Sequence, residues 1–283
     1  MTLGTALAIV VATLLFAVGC IMVSRRAAAR RPIFRDPGMS SEVRNDLMFA
    51  VTILLGFLLL IAMTHYESSG EASVNEARAV VALASSADGI SNPVLRRRIQ
   101  HDAVCYARAV LQDDWTAGDT SAVGGEAGGS LRADFRLNEM SRSVSAAVRA
   151  GYDYDALMSG DNDVRTNRAA RLYDGAPFST ALWVISGLSV ALLLLMAAML
   201  LATEYAWVQY LIVGSTALIL AFMLALIGAF SRPFSGEAPL PMVSPVVMQT
   251  ALGDIGQYVN NDPIVMRSCR STGVADVPGA ARG

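Results

Sequence analysis

Four stretches of the chain are almost purely apolar, and most of the remainder places apolar residues at helical spacing among polar ones. Crossing roughly 30 Å of hydrocarbon takes about 20 consecutive apolar residues in a helix. Residues 1–23, 47–64, 180–203 and 207–230 fit or approach that length, so the pattern predicts four membrane-spanning helices. Thr203-Glu204-Tyr205-Ala206-Trp207 joins the last two and is short enough to make them antiparallel neighbours. Tyr205, Trp207 and Tyr210 fall where an interfacial aromatic belt sits. Met1-Thr2-Leu3-Gly4 lacks a basic n-region and no A-x-A site follows, so the first segment reads as a retained helix. Ala17-Val18-Gly19-Cys20 faintly resembles a lipoprotein cleavage box, but the apolar run continues through Val23.

Between the second and third spans, residues 65–179 read as a polar helical domain. Residues 67–84 are rich in Ala, Glu and Val and lack Pro, so the second span is expected to continue beyond the bilayer. Asn92-Pro93 then restarts a helix, with Asn as N-cap and Pro at the first helical position, where its missing N–H is harmless. Leu95, Ile99, Tyr106 and Val110 form its apolar stripe, with Val104, Leu111 and Trp115 nearby and Arg96, Arg97, Asp102 and Arg108 on other faces. Residues 117–130 hold five glycines and read as a surface loop; helical pattern resumes near Leu131 and runs to about Ala150. Residues 152–163 read as a solvated acidic turn. A calcium loop starting at Asp161-Asn162-Asp163 would need an oxygen ligand, a Gly and a Glu where Arg165, Thr166 and Leu172 stand, and is rejected.

After the fourth span, Pro233 in Arg232-Pro233-Phe234 ends the helix. The tail, residues 231–259, includes a short amphipathic helix led by Ser244-Pro245, and residues 260–283 carry the composition of a disordered terminus. The expected fold class is all-α: an integral membrane protein with four transmembrane helices and an inserted helical polar domain.

Composition agrees with that layout. Hydrophobic residues make up 54% and charged ones 16%, with a mean hydropathy of +0.45, whereas a soluble domain carries about a quarter charged residues. A net charge of −2 argues against a nucleic-acid partner. All 22 basic residues are Arg, which fits codon bias in a GC-rich bacterium; as a multi-pass helical protein the chain is expected in the bacterial inner membrane. The loop 24–46 carries Arg25, Arg26, Arg30, Arg31, Arg35 and Arg44 and is expected in the cytoplasm, leaving the N-terminus and polar domain outside. Arg165, Arg168, Arg171 and Arg232 run against that orientation. No ionisable residue lies inside a predicted span, which weighs against a pump or coupled transporter. Ala217, Ala221, Ala225 and Ala229 form a small-residue stripe, for packing within the subunit or for an oligomer contact.

Chemistry is sparse. No phosphate loop, dinucleotide fingerprint, zinc-protease helix or nucleophile elbow is present, so no enzyme, cofactor or metal site is expected. His65 and His101 read as surface histidines. Cys20, Cys105 and Cys269 lack zinc-site spacing; Cys105 and Cys269 share one side of the membrane and either pair there or remain thiols.

Several segments resemble a bacterial membrane family with a bestrophin-like domain. They are Glu76-Ala77, Tyr106-Ala107-Arg108-Ala109-Val110 with Asp114-Trp115, Leu182-Trp183-Val184, and Arg232-Pro233-Phe234-Ser235-Gly236 with a short run to Ser244-Pro245. The similarity covers roughly residues 47–255. It implies a homo-oligomer conducting anions through a pore lined by the second span, with Thr52, Gly56 and Phe57 toward the lumen. It also implies a cytoplasmic helical domain, the opposite of the arginine count. The alternative is a non-conducting scaffold or envelope-complex subunit that binds a protein partner through its C-terminal tail.

Overall fold

The computed structural model describes residues 3–30, 37–115, 129–175, 180–200, 206–230, 234 and 243–269. Among them the regular structure is entirely helical: α1 (Leu3–Arg30), α2 (Pro37–Ser86), α3 (Pro93–Ala109), α4 (Leu131–Arg149), α5 (Tyr154–Asp174), α6 (Thr180–Leu200), α7 (Ala206–Phe230) and α8 (Val246–Tyr258). The 203–205 part of the aromatic tip, Arg232, Pro233 and residues 270–283 lie outside the described residues.

Contacts divide the chain into two units. Unit 1 comprises residues 1–65, 177–232 and 236–241. Its core interleaves Ala17 and Ile21 of α1, Leu55 and Ala62 of α2, Leu194 of α6 and Val213 of α7. A buried polar clamp fixes helix directions. Gln209 near the start of α7 donates to the Ala198 carbonyl near the end of α6 (2.9 Å) and to Ser24 Oγ (3.3 Å). Its own Oε1 accepts from Arg25 Nε at 2.9 Å. The C-terminal ends of α1 and α6 therefore meet the N-terminal end of α7, which runs antiparallel to both. Gln209 is fully buried, and such a group holds only if its amide is satisfied. By length and apolarity, helical segments within α1, α2 and α7 qualify as membrane spans; α6 contains a shorter apolar run, Leu182–Ala198.

Unit 2 comprises residues 66–176, 233–235 and 242–283. The second apolar run does continue as one helix, because nothing between Met63 and Ser86 breaks it; α2 also begins earlier than the hydropathy, at Pro37. Asn92 caps α3 as expected, its Oδ1 accepting from Val94 N (2.9 Å) and Leu95 N (3.4 Å). Ser130 caps α4 through Ala133 N at 3.1 Å. The reading of residues 152–163 as a solvated turn is overturned. Asp153 caps α5 through Asp155 N and Ala156 N (3.0 and 3.2 Å), and the acidic Asp155 of its first turn favours the helix N-terminus. Asp161 is buried and bonded by Ser141 and Arg165. The apolar residues Met248, Ala251 and Ile255 of α8 are buried in the core of unit 2.

Candidate functional site

The densest chemistry in unit 2 is a buried ionic cluster. α5 repeats Leu157, Asp161, Val164, Arg168 and Arg171 at spacings of four and three, and all five are buried on one face. The stripe begins apolar and ends in two guanidiniums. The last turn of α3 opens into a π-turn, Val110–Asp114, closed by Trp115 N to the Val110 carbonyl at 3.2 Å. The extra residue per turn carries Asp114 round toward the face that holds Tyr106 and Val110. α2 supplies Glu76.

Arg171 sits at the centre. Its Nε donates to Glu76 Oε2 (2.5 Å), and its Nη2 to Glu76 Oε1 (3.3 Å) and Asp114 Oδ2 (2.8 Å). Arg168 Nη1 donates to the same Asp114 oxygen and Nη2 to Asp134 Oδ1, both at 2.7 Å. Tyr106 donates its hydroxyl to Glu76 Oε1 at 2.5 Å. Asp114 Oδ1 accepts from Ser130 N at 2.9 Å, linking the cluster to the start of α4. Aromatic rings complete the shell: Arg171 lies 4.9 Å from the Trp115 centroid and 5.7 Å from that of Phe234. Trp115 and Phe234 meet edge to face, and Trp115 Nε1 donates to the Val243 carbonyl at 3.1 Å. Two buried guanidiniums thus face two buried carboxylates, with the half-exposed Asp134 at the margin. Both oxygens of Glu76 and of Asp114 are engaged, so the arrangement acts as a lock joining α2, α5, the π-turn after α3 and Phe234, four residues beyond α7.

The lock titrates at both extremes of pH. Burial works against the Asp114 charge, but the Arg171 and Arg168 guanidiniums outweigh it and hold the carboxyl below its ordinary range. Its stabilising contribution is complete above an unfolded-state value of about 3.9 and is lost as pH falls through the lower folded value. Burial first, then the Glu76 charge, push the Tyr106 phenol well above its ordinary value. That contribution is complete below about pH 10 and is lost as pH rises toward the folded value. The unfolding midpoint is therefore expected to fall below about pH 4 and again above about pH 10, the second decline being weaker in Tyr106→Phe. An alkaline limb identical in Tyr106→Phe would assign it to other groups.

Gly175, at the end of α5, gives the Phe234 ring its place. A Cβ there would overlap the ring and lie 2.8 Å from the Arg171 carbonyl oxygen. Gly175→Ala is expected to displace Phe234 and to cost about 1–3 kcal/mol, the range for overpacking. The same change in a Phe234→Ala background should cost clearly less; equal costs would mean the ring is not what the methyl meets.

Of the motif residues singled out above, the structure brings Glu76, Tyr106, Trp115 and Phe234 together. Trp183 lies elsewhere, packed against the core of unit 1 on α6. Ala217, Ala221 and Ala229 are buried within unit 1, and Ala225 is half-buried. Thr52, Gly56 and Phe57 are exposed on α2, while Val51, Leu55 and Leu58 turn into the subunit. His101 is a correction: it is buried, and its Nδ1 donates to the Val265 carbonyl at 2.8 Å. Cys105 and Cys269 form a disulfide. Sequence reading missed Arg168 and Arg171 as core residues. The signal was available, since both continue the stripe of Leu157 and Val164.

The profile of the Bestrophin-like domain matches residues 7–241. A tryptophan-to-alanine variant of a bacterial bestrophin homologue from Klebsiella pneumoniae superposes with a TM-score of 0.68 at 14% identity, covering 92% of this chain and 100% of that one. The homologue from the same organism solved by zinc anomalous phasing gives 0.66 at 14% identity, covering 91% and 99%. A membrane protein with a proline-to-alanine substitution gives 0.65 at 14% identity, covering 90% and 98%. At that identity the likeness is one of fold. No curated protein matches the chain. With 7–241 matched in sequence and a helical fold shared along nearly the whole chain, the protein belongs to the bestrophin-like domain family.

Proposed function

We propose that the protein is a homo-oligomeric anion channel with four spans per subunit and α2 lining the pore. The observation that carries this reading is the face of α2 that stays exposed among the described residues. Thr52, Gly56 and Phe57 lie there, and a Cβ at Gly56 would meet none of the described residues within 4 Å. Phe57 is 62% exposed, and a ring of such phenyl groups makes an apolar constriction of the kind that gates by dewetting. Phenyl edges carry the positive end of the ring quadrupole, which favours anions over cations. The 21 residues of α6 reach about 32 Å as a helix, enough for the fourth span. The tail-partner reading gains no support, because Met248, Ala251 and Ile255, the apolar stripe of α8, are buried within unit 2.

Purified protein in liposomes is expected to pass chloride and iodide faster than empty vesicles, and Phe57→Ala to alter that rate. Flux no greater than that of empty vesicles would sink the channel reading.

For orientation, unit 2 is placed on the extracytoplasmic side. Two independent features support this: the arginines of residues 24–46, and a disulfide, a bond that persists in oxidising compartments.

A further inference from the structure

Unit 2 contains a second polar feature, separate from the lock. A cavity of about 540 Å³ opens between α3, α4 and the segment after α8. Arg97, Arg98 and His101 of α3, Arg136 of α4 and Arg267 of the tail line it, with Val94 and Ile264 as apolar contributors. Asp102 and Glu139 share the lining. Glu139 is taken up by Arg136 at 2.5 Å, and Arg97 by Asp262 at 3.0 Å. Among the described residues, Arg98 and Arg267 form no salt bridge, so positive charge is left over in the wall.

The tail wall is held in place. The Cys105–Cys269 disulfide fixes it one turn beyond His101. Arg108 donates to the carbonyls of Arg267 (2.8 Å) and Met266 (3.1 Å), and His101 to that of Val265 (2.8 Å). Arg267 Nε in turn approaches His101 Nε2 at 3.4 Å. Arg267 is thus presented from a clamped backbone rather than from a loose end.

We propose that this cavity binds a small organic oxyanion, a carboxylate or a phosphate ester that also carries hydrogen-bond donors. Its volume lies within the roughly 300–1,000 Å³ of small-molecule sites. Guanidiniums bind such oxygens through paired N–H donors, and Arg98 and Arg267 supply them. Asp102 Oδ2 and Glu139 Oε2 accept from Ser143 and Arg136, so it is the second oxygen of each carboxylate that offers an acceptor to hydroxyl or amino groups of the same ligand, which distinguishes it from a bare inorganic anion.

The test is isothermal titration calorimetry of the full-length protein in detergent at low salt, with citrate and glycerol 3-phosphate as probes. One or both are expected to saturate at one site per chain, and which one binds tells carboxylate from phosphate recognition. Arg98→Ala and Arg267→Ala should each weaken binding by about tenfold, the loss of a charge-assisted hydrogen bond. Arg78→Ala, which removes an exposed arginine outside the cavity, should leave affinity unchanged. The proposal is overturned if neither probe binds, or if Arg78→Ala weakens binding as much as the cavity variants.

Discussion

Replacing Arg171 by Met is expected to destabilise unit 2 by about 3–5 kcal/mol, the cost of stripping the partner from a buried charge. Arg171 is 1% exposed and, among the described residues, is the only side chain that bonds both Glu76 and Asp114. Without it, two buried carboxylates share one remaining guanidinium, that of Arg168, which reaches Asp114 but is not bonded to Glu76. The aromatic shell of Trp115 and Phe234 loses its central cation at the same time. Arg171→Lys should fall between wild type and Met, since one ammonium cannot reproduce the fork or stack on both rings. The double variant Arg171→Met with Glu76→Gln should be less damaged than the sum of the two, because the orphaned charge is removed with its partner. Chemical unfolding in detergent measures each of these. A loss under about 1 kcal/mol in Arg171→Met, the scale of a surface ion pair, would mean that the lock does not hold the unit together.

Breaking the Cys105–Cys269 bond carries the second large effect. It closes a sequence separation of 164 residues, and constraint of the unfolded chain on that scale stabilises by about 2–4 kcal/mol. Cys105→Ser, Cys269→Ser and reduction of the wild type should all lower stability by that amount, with the segment after α8 released first. In intact cells, an impermeant maleimide is expected to label neither thiol until reductant is added, and then to label both from outside. Labelling without reductant would show that the bond is not formed. Labelling only after permeabilisation would put unit 2 in the cytoplasm and overturn the proposed orientation.

Fold and site were legible in the sequence to different degrees. The apolar runs are long and uncharged, so only helices satisfy their backbone in lipid, and the all-helical class follows. Asn92-Pro93 marked the start of α3 because cap chemistry is local. Residues 152–163 were misread because acidity was taken for exposure, when Asp153 and Asp155 were instead starting a helix. Arg168 and Arg171 escaped for a related reason. Charged residues are counted as surface by default, and their partners Glu76 and Asp114 lie 95 and 54 to 57 positions away. The family motifs marked the acceptors and rings of the cluster without its cations. His101 is buried by a tail segment 164 residues along the chain, which no local pattern foretells.

Anion conduction is tested most directly by current recording from purified protein in planar bilayers under a chloride gradient. The expected result is macroscopic currents whose reversal potential moves toward the chloride equilibrium potential, with conductance or gating altered in Phe57→Ala. A silent bilayer containing verified oligomer, or a reversal potential that follows the cation, would contradict it.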